Sequence, residues 1–396
     1  MRQESIVDKA IQSTGEAKQA YCKFLSANDS GETGGHQAGI LISKKALPML
    51  FNPDKALSHI EKRTVRILWQ TDYETDSVFT YYESKGELRI TNFGRGFPYL
   101  NKEDTGALFV FTRQDPDHYQ GFFLYTEDEI DTFLNSFGIS PTETNNLIRK
   151  DPILSASAQE QRAIMAFIDS ITVNYKVSFP DSAVMSRTAR EIENAVYNHT
   201  EYMITNPDKK LIDWTDQEYR LFREIEMFCY GGIIRQGFRD MESFVELANQ
   251  VLNRRKSRAG KSLEHHISAI FDANHIEYEE QVRTEGNKKP DFIFPSGSAY
   301  HNKLFPTDKL ISLASKTTCK DRWRQVINEA DRLRDKNKYL LTLQQGISTP
   351  QLEEMEAEKV ILVVPKPYIS SYPREKQGSI WTVKKFIAYL QEIEKM

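Results

Sequence analysis

The chain has 396 residues, 39% hydrophobic and 27% charged, with a formal net charge of −4. That length predicts two domains, or three, and either half is long enough to bury a core. The balance excludes a strongly basic coat, so any nucleic-acid contact must come from a local field and not from the total. Cys22, Cys229 and Cys319 are far apart and lack paired spacing, which argues against a disulfide framework and the usual zinc sites. Met1–Ala10 is polar and charged, unlike a signal peptide, and no apolar run is long enough to span a bilayer. A cytoplasmic protein without a membrane partner is expected.

The first 20 or so residues read as an amphipathic helix. Short apolar runs follow at Gly39–Ile42, Val65–Gln70, Ser77–Tyr82, Leu88–Phe93, Ala107–Thr112 and Gly121–Thr126. They are rich in β-branched and aromatic residues and separated by Gly, Pro, Asn or Asp, which predicts a β-rich barrel or sandwich. Helical spacing appears at Asp128–Phe137 and Ala158–Ser170. A stretch without periodicity, 173–182, is read as a linker between an N-terminal domain (1–172) and a C-terminal domain (183–396).

From Ala183 to Asn253 the pattern is helical. A basic stretch comes next, then a separate helix at Ser262–Ala273. Strands are predicted at Asp291–Phe294, Leu310–Ser315, Tyr339–Leu343 and Val360–Val364. Helices are predicted at Arg322–Lys336, Thr349–Glu358 and Val383–Lys395. This alternation makes the C-terminal half an α/β domain with a mixed or parallel sheet.

Within that half, Asp291 opens one strand, Lys316 ends the next, Glu329 sits on the following helix and Glu264 lies on the helix after the basic stretch. Such a set can converge on one sheet edge. Phosphodiester hydrolysis needs this chemistry: carboxylates for Mg²⁺, a hard cation that prefers oxygen, and a lysine to hold charge near the phosphate. On the residues alone, Asp291 and Lys316 also suit solvated strand ends, and Glu329 suits a helix-spaced partner of Arg332.

The basic stretch, Asn253–Lys261, has five cations and no acid. Lying beside the candidate site, it suits phosphate binding. Lys316-Thr317-Thr318-Cys319-Lys320-Asp321-Arg322 carries a second pattern. Lys and Arg donate to guanine O6 and N7, and Asp accepts from cytosine N4, which suits readout of G·C pairs; a helix start with surface cations is the plain alternative. Ser30–Gly35 lacks the ending of a phosphate-binding loop.

Taken together, Asn253–Glu264, Thr284–Phe292, Ala299–His301, Lys316–Gln325 and Asn328–Asp331 resemble the EcoRII family of CCWGG-cutting type II restriction endonucleases. The resemblance implies a C-terminal PD-(D/E)XK nuclease fold with Asp291, Lys316 and Glu329 at its centre and Glu264 as a further acid, the three acids holding Mg²⁺. It ties Tyr300 to cleavage, through a hydroxyl that could reach a phosphate or a ligand carboxylate; a packed strand-end tyrosine is the alternative. It makes Lys256 and Arg322 DNA contacts and gives Lys320, Asp321 and Arg322 the outer C·G pairs, with the central base flipped out of the helix.

The N-terminal half resembles that family's β-pseudobarrel, an effector domain that binds a second copy of the DNA site. The matching residues are Ser26–Asp29, Thr33–Gln37, Arg89–Thr91, Gly94–Gly96 and Thr105–Leu108. His36, Lys85, Glu87 and Arg89 are the DNA-contact candidates. Leu41, Glu83 and Leu88 depart from the family pattern, and those departures bear on effector affinity. The expected enzyme is a homodimer on double-stranded DNA, autoinhibited until effector DNA binds, and paired with a protecting methyltransferase. Two rivals remain: a related nuclease without effector control, and a non-catalytic DNA-binding protein.

Overall fold

The computed structural model describes residues 5–31, 39–51, 59–148, 158–172, 179–320 and 323–395. Helix α1 (Ile6–Glu16) is capped by Ser5, whose side chain accepts from the Asp8 backbone. It leads into an eight-stranded mixed sheet of β1 (Gln19–Phe24), β2 (Ile40–Ile42), β3 (Ile60–Trp69), β4 (Tyr73–Tyr82), β5 (Glu87–Thr91), β6 (Leu108–Arg113), β7 (His118–Leu124) and β8 (Asn146–Ile148). The order across it is β2-β5-β4-β3-β7-β6-β1-β8. All pairs are antiparallel except β3 with β7. The Tyr21 hydroxyl accepts from the Ser43 backbone near β2 and donates to Asn145 near β8, so the two edges curl toward each other.

The inner face is aromatic. Trp69 stacks on Phe123 at 5.6 Å and meets Phe97 edge-on at 4.7 Å. Gly121 is required there, because a Cβ would lie 2.5 Å from the Trp69 ring. The outer face is covered by α1 and α2 (Glu127–Phe137), through Ala10, Ile130, Phe133 and Leu134. Six of the strands match the predicted runs. β1 and β8 were not anticipated: β1 carries Lys23, a residue that strands seldom bury, here neutralised by Asp29 at 2.6 Å.

The C-terminal sheet is ordered β13-β12-β11-β10-β9. Its strands are β9 (Glu279–Glu280), β10 (Phe292–Phe294), β11 (Ile311–Lys316), β12 (Lys338–Thr342) and β13 (Val360–Val363). β11, β12 and β13 run parallel, whereas β10 is antiparallel to β11. Ile311, Leu313, Tyr339 and Leu341 pack against the long helix Met241–Ala273 and the last helix, Val383–Lys395. Ala314, Leu340 and Leu362 face Trp323, Leu352 and Met355. The sheet is therefore buried on both faces, as its continuous apolar strands require.

Apart from the single turns Leu47–Leu50 and Tyr202–Thr205, the remaining α-helices among the described residues are α3 (Ala158–Thr172), α4 (Ser182–Tyr197), α5 (Pro207–Gln236), α6 (Met241–Ala273), α7 (Gly297–His301), α8 (Trp323–Val326), α9 (Thr349–Ala357) and α10 (Val383–Lys395). Three expectations are corrected. The basic stretch does not separate two helices, because α6 runs unbroken for 33 residues. Three of its five cations find partners inside the fold: Arg258 stacks over Tyr219 at 3.8 Å, Arg254 over Phe179 at 4.7 Å, and Arg255 pairs with Glu226.

Second, the predicted helix Arg322–Lys336 is broken. α8 ends at Val326, and a separate 3₁₀ turn covers Asp331–Leu333. Third, α3 was assigned to the N-terminal domain, but its Ile164 and Ile168 join Met185, Ile192, Leu221 and Phe222 in the core of the C-terminal helices. Glu160 on α3 is fully buried and pairs with Arg220 at 2.7 Å. On packing grounds α3 goes with the C-terminal helices. Most of the expected linker, 173–178, lies outside the described residues. Among the described residues no helix is long and apolar enough to cross a membrane.

Candidate active site

Asp291 stands at the entry to β10. One of its carboxylate oxygens accepts the Ser315 backbone N–H at 2.7 Å and the Ser315 hydroxyl at 3.2 Å. The antiparallel register of β10 on β11, with Phe292 opposite Leu313, creates this contact. Lys316 closes β11 one residue later. Gln281, in left-handed backbone at φ 53, turns its amide toward the same place. Its nitrogen donates to Asp291 Oδ1 at 3.0 Å and to Glu264 Oε2 at 3.3 Å. Glu264 arrives on α6, and Glu329 in the turn after α8.

All four of Glu264, Asp291, Lys316 and Glu329 are half-buried. They share one field. Burial, and then the negative charge of Asp291, push Glu264 up to about 7, while Lys316 pulls it down. The same three influences, in the same order, bring Glu329 to about 7. Two acids from unconnected segments thus respond to the same acid and the same lysine. The convergence expected from the sequence is present, although Glu329 comes from a turn and not from a helix. Arg332 does not pair with it, since its guanidinium donates to the Tyr300 and Phe305 carbonyls.

Among the described residues no three potential ligand side chains form a ready-made metal cage. The acids fit a more open site. Mg²⁺ is commonly held by one or two carboxylates and completes its shell with water and phosphate. Crowded negative charge that raises two carboxyl groups is also what a divalent cation relieves.

Above this edge lies a cavity of about 310 Å³, lined by Glu264, Lys316, Lys256 and Tyr219 and, from α2, by Glu127, Asp128 and Asp131. The two domains meet across it. The Thr318 hydroxyl donates to Asp131 at 2.6 Å, and the Lys320 backbone N–H donates to Glu127 at 3.2 Å. Arg255 donates to the Asn135 and Ser136 carbonyls at 2.7 Å, and Arg223 to that of Gly138 at 2.9 Å. These carbonyls close the C-terminal end of α2, where the helix dipole is negative. Further along, Gln345 donates to the Pro141 carbonyl at 2.8 Å, and Thr142 donates to Asp216. Burial and the charge of Glu143 push Asp216 up to about 7.

The other expected site residues are scattered. Lys256 is exposed at the cavity. Lys320 is buried under the N-terminal domain, its ammonium 5.7 Å from the Tyr125 ring. Asp321, Arg322 and His36 lie outside the described residues. In the N-terminal domain Lys85 is exposed, but Arg89 is only 6% exposed and is held by Glu87 at 3.2 Å. Tyr300 does not face the acids: its hydroxyl donates to Glu285 at 2.5 Å. Gln281 and Ser315 were not singled out from the sequence. A loop amide and a strand serine carry no local mark, and only the pairing of β10 with its neighbours gives them a role.

Two family models match the chain: "Restriction endonuclease EcoRII, N-terminal" over residues 14–132 and "EcoRII C terminal" over residues 222–387. The chain is 35% identical over 387 residues to the type II restriction enzyme EcoRII of Escherichia coli, covering 93% of each. Among solved structures, metal-depleted Ecl18kI with uncleaved, modified DNA aligns at TM-score 0.47 and 16% identity, over 61% of this chain and 85% of that one. The complex of restriction endonuclease PspGI with substrate DNA aligns at TM-score 0.44 and 17% identity, over 53% and 93%.

Proposed function

This chain belongs to the EcoRII family of type II restriction enzymes, a site-specific deoxyribonuclease, and we propose that it hydrolyses both strands of double-stranded DNA at a CCWGG-like sequence. The observation that carries the assignment of its active site is the meeting of Asp291 and Glu264 on the Gln281 amide at the β10–β11 edge, where Asp291 also binds Ser315 beside Lys316. We read the C-terminal α/β domain as a PD-(D/E)XK nuclease and the curled N-terminal sheet as a pseudobarrel for effector DNA.

Asp291, with Glu329 or Glu264, would hold Mg²⁺, which when bound would supply Lewis-acid stabilisation of the phosphate and a more acidic water. The protein does the rest. Ser315 and Gln281 fix both oxygens of Asp291. Lys316 sets positive charge where the phosphate oxygens gain negative charge, which favours the transition state over the ground state. Lys256 meets the backbone at the cleft mouth, and Lys320, Asp321 and Arg322 read the outer pairs, with a flipped central base.

The acidic start of α2 supports autoinhibition. Glu127, Asp128 and Asp131 line the cavity where phosphates would lie, and Arg255, from the basic stretch, is tied to the end of the same helix. DNA and α2 compete for one surface. Effector DNA on the N-terminal domain would release it; the buried Arg89 leaves Lys85 as the more accessible effector contact.

The α5–α6 hairpin supports a homodimer. Its free end exposes Met241 (69%), Ile234 (58%) and Phe244 (47%), an apolar patch of the kind that marks an association surface. Two-fold association suits a near-palindromic site. An enzyme that cuts this site also calls for a methyltransferase that protects it in the host.

The test is cleavage of plasmids with one or two CCWGG sites, with and without Mg²⁺. Metal-dependent cutting at that sequence, faster with two sites, is expected. Cutting elsewhere would overturn the specificity, and equal rates would overturn effector control.

A further inference from the structure

Glu329 is not held by a helix of its own. α8 stops three residues before it, and Ala330 follows in non-helical backbone at φ −144, ψ 88. Instead, a distant segment grips the turn. The Thr284 hydroxyl donates to the Glu329 carbonyl at 2.7 Å. Glu285 Oε2 accepts the Asp331 backbone N–H at 3.0 Å, and Glu285 Oε1 accepts the Tyr300 hydroxyl at 2.5 Å. The Tyr300 oxygen in turn accepts the Arg332 backbone N–H at 3.2 Å. Lys288 pairs with both oxygens of Asp331 at 2.8 Å. The gripping loop is itself closed by Thr284 N–H to the Lys288 carbonyl at 3.0 Å and Lys288 N–H to the Glu285 carbonyl at 3.0 Å.

We propose that Glu285 and Tyr300 are positioning residues that lock the Glu329 turn, so that Tyr300 acts on cleavage through Glu285 and the metal site without touching the phosphate. The inference rests on reading Glu329 as a metal-binding acid. Both carboxylate oxygens of Glu285 are engaged, one on the turn's backbone and one on Tyr300. The Tyr300 hydroxyl is half committed to Glu285 and half to the turn. Buried beside the Glu285 charge, it stays protonated and remains a donor. Removing either group frees the backbone of Asp331 or Arg332, two or three residues from the Glu329 carboxylate. Groups that orient a ligand acid in this way typically govern metal affinity by about 10- to 100-fold.

The experiment measures Mn²⁺ binding by calorimetry and the Mg²⁺ concentration for half-maximal cleavage, on the full-length chain with a CCWGG duplex. The variants are Tyr300→Phe, Glu285→Ala, Glu285→Gln and Glu329→Gln, each checked for folding by circular dichroism. Tyr300→Phe keeps the ring and its packing, so it answers even if Glu285→Ala unfolds. Tyr300→Phe and Glu285→Ala are expected to weaken Mn²⁺ binding by about tenfold or more, with cleavage largely restored at saturating Mg²⁺. Glu285→Gln keeps a carbonyl oxygen for the Asp331 N–H and should recover part of the affinity. Unchanged Mn²⁺ binding by Tyr300→Phe, with a cleavage defect that metal cannot restore, would put Tyr300 at the phosphate and overturn the clamp. Unchanged Mn²⁺ binding by Glu329→Gln would instead overturn the reading on which the clamp rests.

Discussion

Thr318, two residues beyond Lys316, gives its hydroxyl to the carboxylate of Asp131 at 2.6 Å, and so the two domains are joined beside the candidate active site. The bond links a loop of the C-terminal domain to a helix of the N-terminal domain, and on the proposed reading it must break for DNA to reach the site.

Asp131→Ala should therefore raise the initial rate on one-site plasmid DNA. One hydrogen bond to a charged group contributes about 1.5–3 kcal/mol, which allows a gain of roughly 10- to 150-fold if the closed form dominates. Rates on two-site DNA should change less. A one-site rate equal to that of the parent protein would remove this contact from the account of repression.

Lys316→Ala should reduce cleavage by at least about a hundredfold, through lost transition-state stabilisation, while a gel-shift assay finds specific binding largely intact. Asp291→Ala should also abolish cutting, and it should further release Ser315 and Gln281 from their shared acceptor. Near-normal cutting by either variant at saturating Mg²⁺ would move the active site elsewhere.

Repression should weaken with rising pH. Asp216 is pushed up to about 7 where it accepts from Thr142 across the interface. Its acid form is thus favoured in the closed state. The docking it supports is fully present below the ordinary aspartate range and is lost as pH rises toward 7, with no further loss above. The ratio of the rate of a fragment beginning at residue 158, which lacks the N-terminal sheet, to the full-chain rate on one-site DNA isolates this effect from the chemistry of cleavage. That ratio should be larger at pH 6 than at pH 8; a flat ratio would count against it.

A fragment beginning at residue 158 should be more stable than one beginning at 173. The longer fragment keeps Ile164 and Ile168, which are 0% and 1% exposed, and keeps Glu160 on Arg220. Burying two such side chains contributes about 3–6 kcal/mol, enough to separate the two melting curves clearly. Coincident curves would restore α3 to the N-terminal domain.

The sequence made the sheet edges legible because strand ends are local events. Asp291 and Lys316 sit where buried strand runs begin and stop, and the structure brings them together. Glu329 was misread for a non-local reason. Its apolar spacing suits a helix, but Glu285 and Tyr300, 44 and 29 residues away in the chain, take up the backbone N–H groups of Asp331 and Arg332. α6 was misread in the opposite direction. Its cations look like a solvated run until Tyr219, Phe222 and Phe179, on other segments, stack beneath them. In both cases the deciding partner lies outside any local window.

The unbroken course of α6 also limits how this family can vary. Met241, at the hairpin end, and Glu264, at the candidate site, belong to one helix, so the rod between them spans about 35 Å at 1.5 Å per residue. Adding or removing a single residue within it would swing Glu264 by about 100° around the axis relative to the hairpin end. Changes in its length should survive only in steps that restore the angle, such as seven residues together, roughly two turns. The helix works as a ruler whose graduations are whole turns, and the distance between the exposed apolar tip and the candidate site is written into it.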